Sequence, residues 1–250
     1  MLTPYDFQEN LQQRAQYIRN RLQAGSPVIG ISYDNGIMLL TTRRRGRKVF
    51  EIYDRLMLSA IGNQADVETL RVAAIDFAHQ EGFVRSPDDV TVQRVVGFAL
   101  SPALKKAFGD PLTTPFVVRA LFAELHDAPE RDLFYILNYD GEFNPAERFA
   151  VIAGTTGAED LATRYLRDAL PNTPTLEKAL SLALVAWGIA REAALQEDRD
   201  TIPESQARER LRDELQEAQL EVGLLERQTL RENRFRLIPP EQLQGYLRHL

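Results

Sequence analysis

Apolar residues recur at Phe7, Leu11, Tyr17, Ile18 and Leu22, which places one stripe on a helix running to about Ala24; its other face is rich in Gln and Arg. Thr3 can cap that helix, with Pro4 at its first position. The period then changes. Gly25 to Tyr33 reads as a strand and Ile37 to Thr42 as its return. Asp34-Asn35-Gly36 forms the tight turn between them, because Asn and Gly tolerate the positive φ that such turns need. After the basic loop Arg43-Arg44-Arg45-Gly46-Arg47, Lys48 to Tyr53 and Leu56 to Ile61 make two more strands around a turn at Asp54-Arg55, ending at Gly62.

Two helical patterns follow. Ala65 to Gln80 repeats apolar residues at Val67, Leu70, Ala74 and Phe77; Asp88 to Phe108 repeats them at Val92, Val95, Ala99 and Leu104, with a kink expected at Pro102. Strands are expected at Phe116 to Leu125, Asp132 to Asn138 and Arg148 to Ala153, with a turn at Tyr139-Asp140-Gly141. Gly154-Thr155-Thr156-Gly157 leads into helices at about 158–169 and 175–196. Residues 196–218 are a charge-dense insert, read as a solvated surface helix with Pro203 in its first turn. Strands near 219–227 and 233–238 and a helix begun by Pro239-Pro240 close the chain. No βαβ alternation appears. Strand blocks alternating with helix pairs predict two antiparallel sheets sandwiched between helix layers, and the lack of a clear linker predicts one domain over residues 1–250.

Composition narrows the function. A net charge of −6 argues against broad nucleic-acid affinity. No apolar run approaches the roughly 18 residues of a membrane span, and the first residues do not have the basic-then-apolar order of a signal peptide. Cysteine is absent, so the chain holds no disulfide, thiol nucleophile or thiolate metal site, which fits a cytoplasmic location. The histidines, His79, His126 and His249, lack zinc-like spacing, and no cofactor is expected.

Several segments, in order and spacing, resemble the proteasome core-particle family, most nearly its bacterial, actinobacterial-style alpha-type subunits. They are the leading helix into Gly25-Ser26, the run Ile29-Gly30-Ile31-Ser32-Tyr33-Asp34-Asn35-Gly36, and Lys48 to Arg55. Gly62 before a long helix ending in Asp76-Phe77-Ala78, then Tyr139-Asp140-Gly141, Gly154-Thr155-Thr156 and Leu220-Glu221-Val222, complete the match. The resemblance implies an α+β, N-terminal-nucleophile-hydrolase fold of αββα layers. It also implies a heptameric ring of copies of this chain, stacked on beta-type catalytic subunits and docked by a regulatory AAA ATPase ring.

Catalysis in that family needs a threonine at a free N-terminus, a lysine and a carboxylate that orients it. Here the nucleophile position is Ser26, blocked unless the bond after Gly25 is cut; Pro27 follows it; the carboxylate position falls at Thr42; the lysine position is Lys48. The late Asp-x-x-Ser element is not recognisable around Arg191-Glu192-Ala193-Ala194. No catalytic residue is therefore assigned. In alpha-type subunits the lysine instead lines a pocket that receives the C-terminal carboxylate of an ATPase tail. The resemblance thus assigns docking to Lys48 and Gly25, the glycine leaving room for the tail. It assigns the gate over the pore to Met1, Leu2, Thr3, Pro4, Tyr5 and Asp6, although Tyr5-Asp6 is followed by Phe7, not by the arginine of the archaeal gate. Residues 1–24 would form the gate and a helix packed between subunits. The basic run at 43–47 is either a solvated hairpin end or an attractor of acidic tails. The alternatives are a divergent serine hydrolase that self-cleaves at Ser26 and a free-standing binding ring.

Overall fold

The computed structural model describes residues 4–196 and 199–247. Its chain order is α1 (Pro4–Leu22), β1 (Val28–Tyr33), β2 (Gly36–Arg43), β3 (Val49–Tyr53), β4 (Leu56–Gly62) and α2 (Gln64–Val84). A composite helix follows: α3 (Val92–Arg94), a π-helical stretch (Val95–Leu100) and α4 (Ser101–Gly109). Next come β5 (Val118–Glu124), β6 (Leu133–Leu137), β7 (Phe143–Glu147), β8 (Phe149–Ile152), α5 (Thr156–Ala169) and α6 (Leu176–Leu195). The order closes with α7 (Glu204–Glu214), β9 (Gln219–Glu226), β10 (Phe235–Leu237) and α8 (Pro240–Leu247).

Two five-stranded sheets result, β10-β9-β2-β1-β8 and β3-β4-β5-β6-β7, antiparallel throughout. The first turns its outer face to α5 and α6, whose Ala183, Ala186 and Trp187 pack against Ile29, Ile31, Met38 and Leu40. The second turns its outer face to α2 and the composite helix through Leu70, Ala74, Val92 and Val96. Between the sheets lie Ile37, Leu39, Met57, Leu121 and Phe134. This is the αββα sandwich read from the strand and helix blocks. Because β1, β2 and β4 are covered on both faces, they are apolar almost without alternation.

Four features differ from the sequence reading. The stretch 88–108 is not one helix: Ser101 N–H bonds Val96 O, five residues back. Pro102 has no N–H to give Phe98 O, and widening of the turn ahead of it accommodates that loss. β7 was not foreseen, because Phe143-Asn144-Pro145-Ala146-Glu147 is half polar and contains proline; it is an edge strand paired only with β6, where a missing N–H is tolerated. The charged insert is not merely solvated, since Ala207 and Leu211 of α7 are fully buried in the cluster that covers α6. The stripe of α1 is split as well. Ile18 and Leu22 close one end of the inter-sheet core, whereas Phe7 and Tyr17 are 41% and 53% exposed.

Of the expected gate, Met1, Leu2 and Thr3 lie outside the described residues, as does the Thr3 cap. Pro4, Tyr5 and Asp6 are the first positions of α1.

Candidate functional site

The near ends of β1, β2, β3 and β4 meet where α1 hands over to β1. Gly25 N–H bonds Leu22 O at 2.7 Å, so the backbone passes from helix to Ser26 without a break. A Cβ at Gly25 would stand 2.8 Å from Leu22 O and 3.1 Å from Ile61 Cβ. The chain's own close approach therefore calls for glycine here, whether or not a ligand binds.

Ser26 and Lys48, distant in sequence, are brought together, but not as nucleophile and base. Ser26 Oγ lies 2.7 Å from Thr42 Oγ1 and accepts from Thr42 N–H at 3.3 Å. Lys48 Nζ donates instead to Ser26 O and to Thr41 Oγ1, each at 3.4 Å. The Ser26 nitrogen is a peptide nitrogen, and the position that needs a carboxylate holds the buried Thr42 hydroxyl. Burial pushes the Lys48 ammonium down to about 8; Glu221 and Glu214 act in the opposite direction and Arg191 reinforces the fall. No carboxylate lies within salt-bridge distance of Nζ among the described residues.

The carboxylates that surround this point were not anticipated from sequence, because they come from the far end of the chain. Buried Glu221 of β9 accepts the main-chain N–H groups of Lys48 (2.9 Å) and Val49 (2.7 Å), and Arg43 Nε lies 2.6 Å from its other oxygen. It fastens the start of β3 to β9 and acts on Nζ from beyond salt-bridge distance. Glu214, the last residue of α7, lies 3.4 Å from Arg44 and 3.5 Å from Arg191. Arg191 of α6 in turn donates to Ala24 O at 3.0 Å. The insert therefore reaches the handover between α1 and β1.

Lys48, Gly25 and Ser26 line a cavity of about 480 Å³. Ala60, Ile61 and Val67 give it an apolar wall, and Arg44, Arg45 and Arg47 stand along its side. Gly62 also lines it, with φ at +136° and no room for a Cβ, which would fall 2.0 Å from Val117 O. A second cleft, of about 540 Å³, opens at the opposite strand ends among Arg55, His126, Arg131, Arg227 and Arg234. Its arginines are matched by acids: Arg55 by Glu124, Arg131 by Asp127, Arg227 by Asp132 and Arg234 by Asp54. Among the described residues, the Lys48 cavity retains cations without an acidic partner and the far cleft does not.

A family model described as proteasome subunit matches residues 22–199. The chain belongs to the proteasome subunit family. It is 34% identical over 183 residues to the proteasome subunit alpha of Xylanimonas cellulosilytica, covering 71% of this chain and 72% of that one. It is 30% identical to the proteasome subunit alpha of Acidothermus cellulolyticus over 99% of both chains. The corresponding protein of Streptomyces coelicolor is 29% identical over 99% of this chain and 91% of its own. The sandwich with helices on both faces is thus the proteasome-subunit fold. Among the described residues, no helix is long and apolar enough to cross a membrane.

Proposed function

We propose that this proteasome-family chain is a non-catalytic, alpha-type subunit. It forms a heptameric ring in the cytoplasm that stacks on beta-type catalytic subunits, controls the access of substrate proteins, and receives the C-terminal tails of a regulatory AAA ATPase at Lys48 and Gly25. Its first six residues form the gate. The observation that carries this reading is the state of the remnant site. Ser26 is acylated by Gly25 and hydrogen-bonded to a threonine hydroxyl, while Lys48 faces a cavity without a carboxylate of its own. A hydrolase needs the serine amine free and the lysine oriented by an acid. A docking site needs a cation whose partner has yet to arrive.

The proposal separates from self-cleavage by intact mass. The chain is expected to keep residues 1–25 and to turn over no peptide alone, and to acquire proteolytic activity only with a beta-type partner. Recovery of a chain that begins at Ser26, with activity abolished by Ser26→Ala, would replace this reading with the hydrolase. Absence of any complex with a beta-type chain would leave a free-standing ring.

A further inference from the structure

We infer that the Lys48 cavity selects chain termini that carry acidic side chains shortly before the terminal carboxylate, and that Arg45 and Arg47 set this preference; the inference rests on the docking reading of Lys48. Segment 43–48 holds five cations. Two are spoken for: Arg43 by Glu221, and Arg44 by Glu214 and Glu217. Arg45 and Arg47 are exposed, stand on the cavity wall, and have no acidic partner among the described residues. In the far cleft, by contrast, Arg55, Arg131, Arg227 and Arg234 each meet an acid. Here two guanidiniums beside a half-buried ammonium are left for something else.

The chemistry of the cavity gives the order of the ligand. Lys48, the deepest cation, takes a terminal carboxylate as a point charge. The apolar wall at Ala60, Ile61 and Val67 takes the last aliphatic side chains. A residue two to four positions earlier lies roughly 7–14 Å from the terminus in an extended chain, which puts its side chain at the level of the rim. A guanidinium there favours a carboxylate through paired N–H donors. Gly46 keeps the loop low between the two arginines, its missing Cβ 3.3 Å from Gln64 Nε2.

The test uses the full chain and four labelled hexapeptides: Gly-Ser-Glu-Glu-Ala-Leu and Gly-Ser-Gln-Gln-Ala-Leu, each as the free acid and as the C-terminal amide. Fluorescence anisotropy at low and high salt gives their affinities. The Glu free acid is expected to bind about threefold to tenfold more tightly than the Gln free acid at low salt, within the combined range of two exposed ion pairs, with the gap closing in high salt. Arg45→Ala with Arg47→Ala should bring that ratio to about one while keeping the preference for acid over amide. Lys48→Ala should weaken both free acids and leave the Glu-to-Gln ratio standing. Equal binding of Glu and Gln free acids by the unaltered chain, with acid still preferred over amide, overturns the inference and leaves docking intact. No preference for acid over amide removes the docking reading, and this inference with it.

Discussion

Arg210 of α7 grips Glu192 of α6, Nε to Oε2 at 2.6 Å, and Glu192 is 2% exposed. Gln206 and Gln196 donate to the other oxygen of the same carboxylate. A segment that reads as surface charge is thus locked to the most buried helix of the protein, and its end sets Glu214 beside Arg44 at the edge of the Lys48 cavity.

Loss of that lock is measurable. Arg210→Ala leaves a buried carboxylate with two neutral donors, and a broken buried pair costs about 3–5 kcal/mol. Because Arg210 is itself about a third exposed, about 1–3 kcal/mol is expected. Urea denaturation of the single variants and of the double variant with Glu192→Ala reads the coupling. Additive losses would show that the contact contributes little.

Asp132 is the counterpart at the far strand ends. It is fully buried, accepts from Ser32 Oγ at 2.6 Å and His126 N–H at 2.9 Å, and pairs with Arg227 at 2.7 Å. Asp132→Ala leaves the guanidinium of a 10%-exposed arginine unpaired and should cost about 3–5 kcal/mol. It should leave peptide docking at Lys48 unchanged. A loss below about 1 kcal/mol would mean that Arg227 finds other acceptors.

Tail affinity should depend on pH through Lys48. Burial depresses its ammonium to about 8, and only the protonated form attracts a carboxylate. Binding of a free-acid peptide is expected to be level below about pH 7 and to fall above pH 8, approaching tenfold per unit, with Lys48→Ala weak and flat over the same range. A profile that is flat in the unaltered chain would remove Lys48 from the contact.

The same depression has a folding consequence of opposite sense. Between about 8 and the ordinary lysine value the unfolded chain holds a proton that the folded chain has lost, so stability rises with pH across that window. Lys48→Met should therefore be more stable than the parent at pH 7, with the advantage shrinking as pH climbs toward 10. Destabilisation at pH 7 would show that Lys48 is kept for packing and not for a ligand.

The exposed pair on α1 offers a test of self-association. Phe7 and Tyr17 leave the core to Ile18 and Leu22, so Phe7→Glu with Tyr17→Glu should cost less than about 0.5 kcal/mol in the isolated fold. Light scattering or electron microscopy should show smaller assemblies. Unchanged rings would place the contact on another face.

The helix and strand blocks could be read in sequence because sheets buried on both faces need nearly unbroken apolar runs, as at Ile37 to Leu40. The helices that cover them need apolar residues a turn apart, as at Leu180, Ala183 and Trp187. Edge strand β7 was hidden by Pro145, and the break in the helix at 88–108 by a hydrogen-bond shift that no apolar pattern records. At the candidate site, Ser26 and Lys48 were recognisable by their places along the hairpin. Glu221, Glu214 and Arg191 were not, since they lie more than 140 positions from Lys48 in sequence and are brought to it by the pairing of β9 with β2 and the packing of α7 on α6.

The margins of the two sheets bear on how copies of this chain can meet. β10 is three residues long, β8 four, β3 carries a register shift between Glu51 and Tyr53, and β7 has Pro145 in place of a donor. None presents a long, regular row of free N–H and C=O groups, which disfavours joining copies by adding strand to strand. Contact is left to helix faces and loops, where side chains and not the main chain choose the partner. Whether contacts of that kind close into a ring or run on as an open filament is then set by the rotation between neighbours, and so by the side chains on those faces.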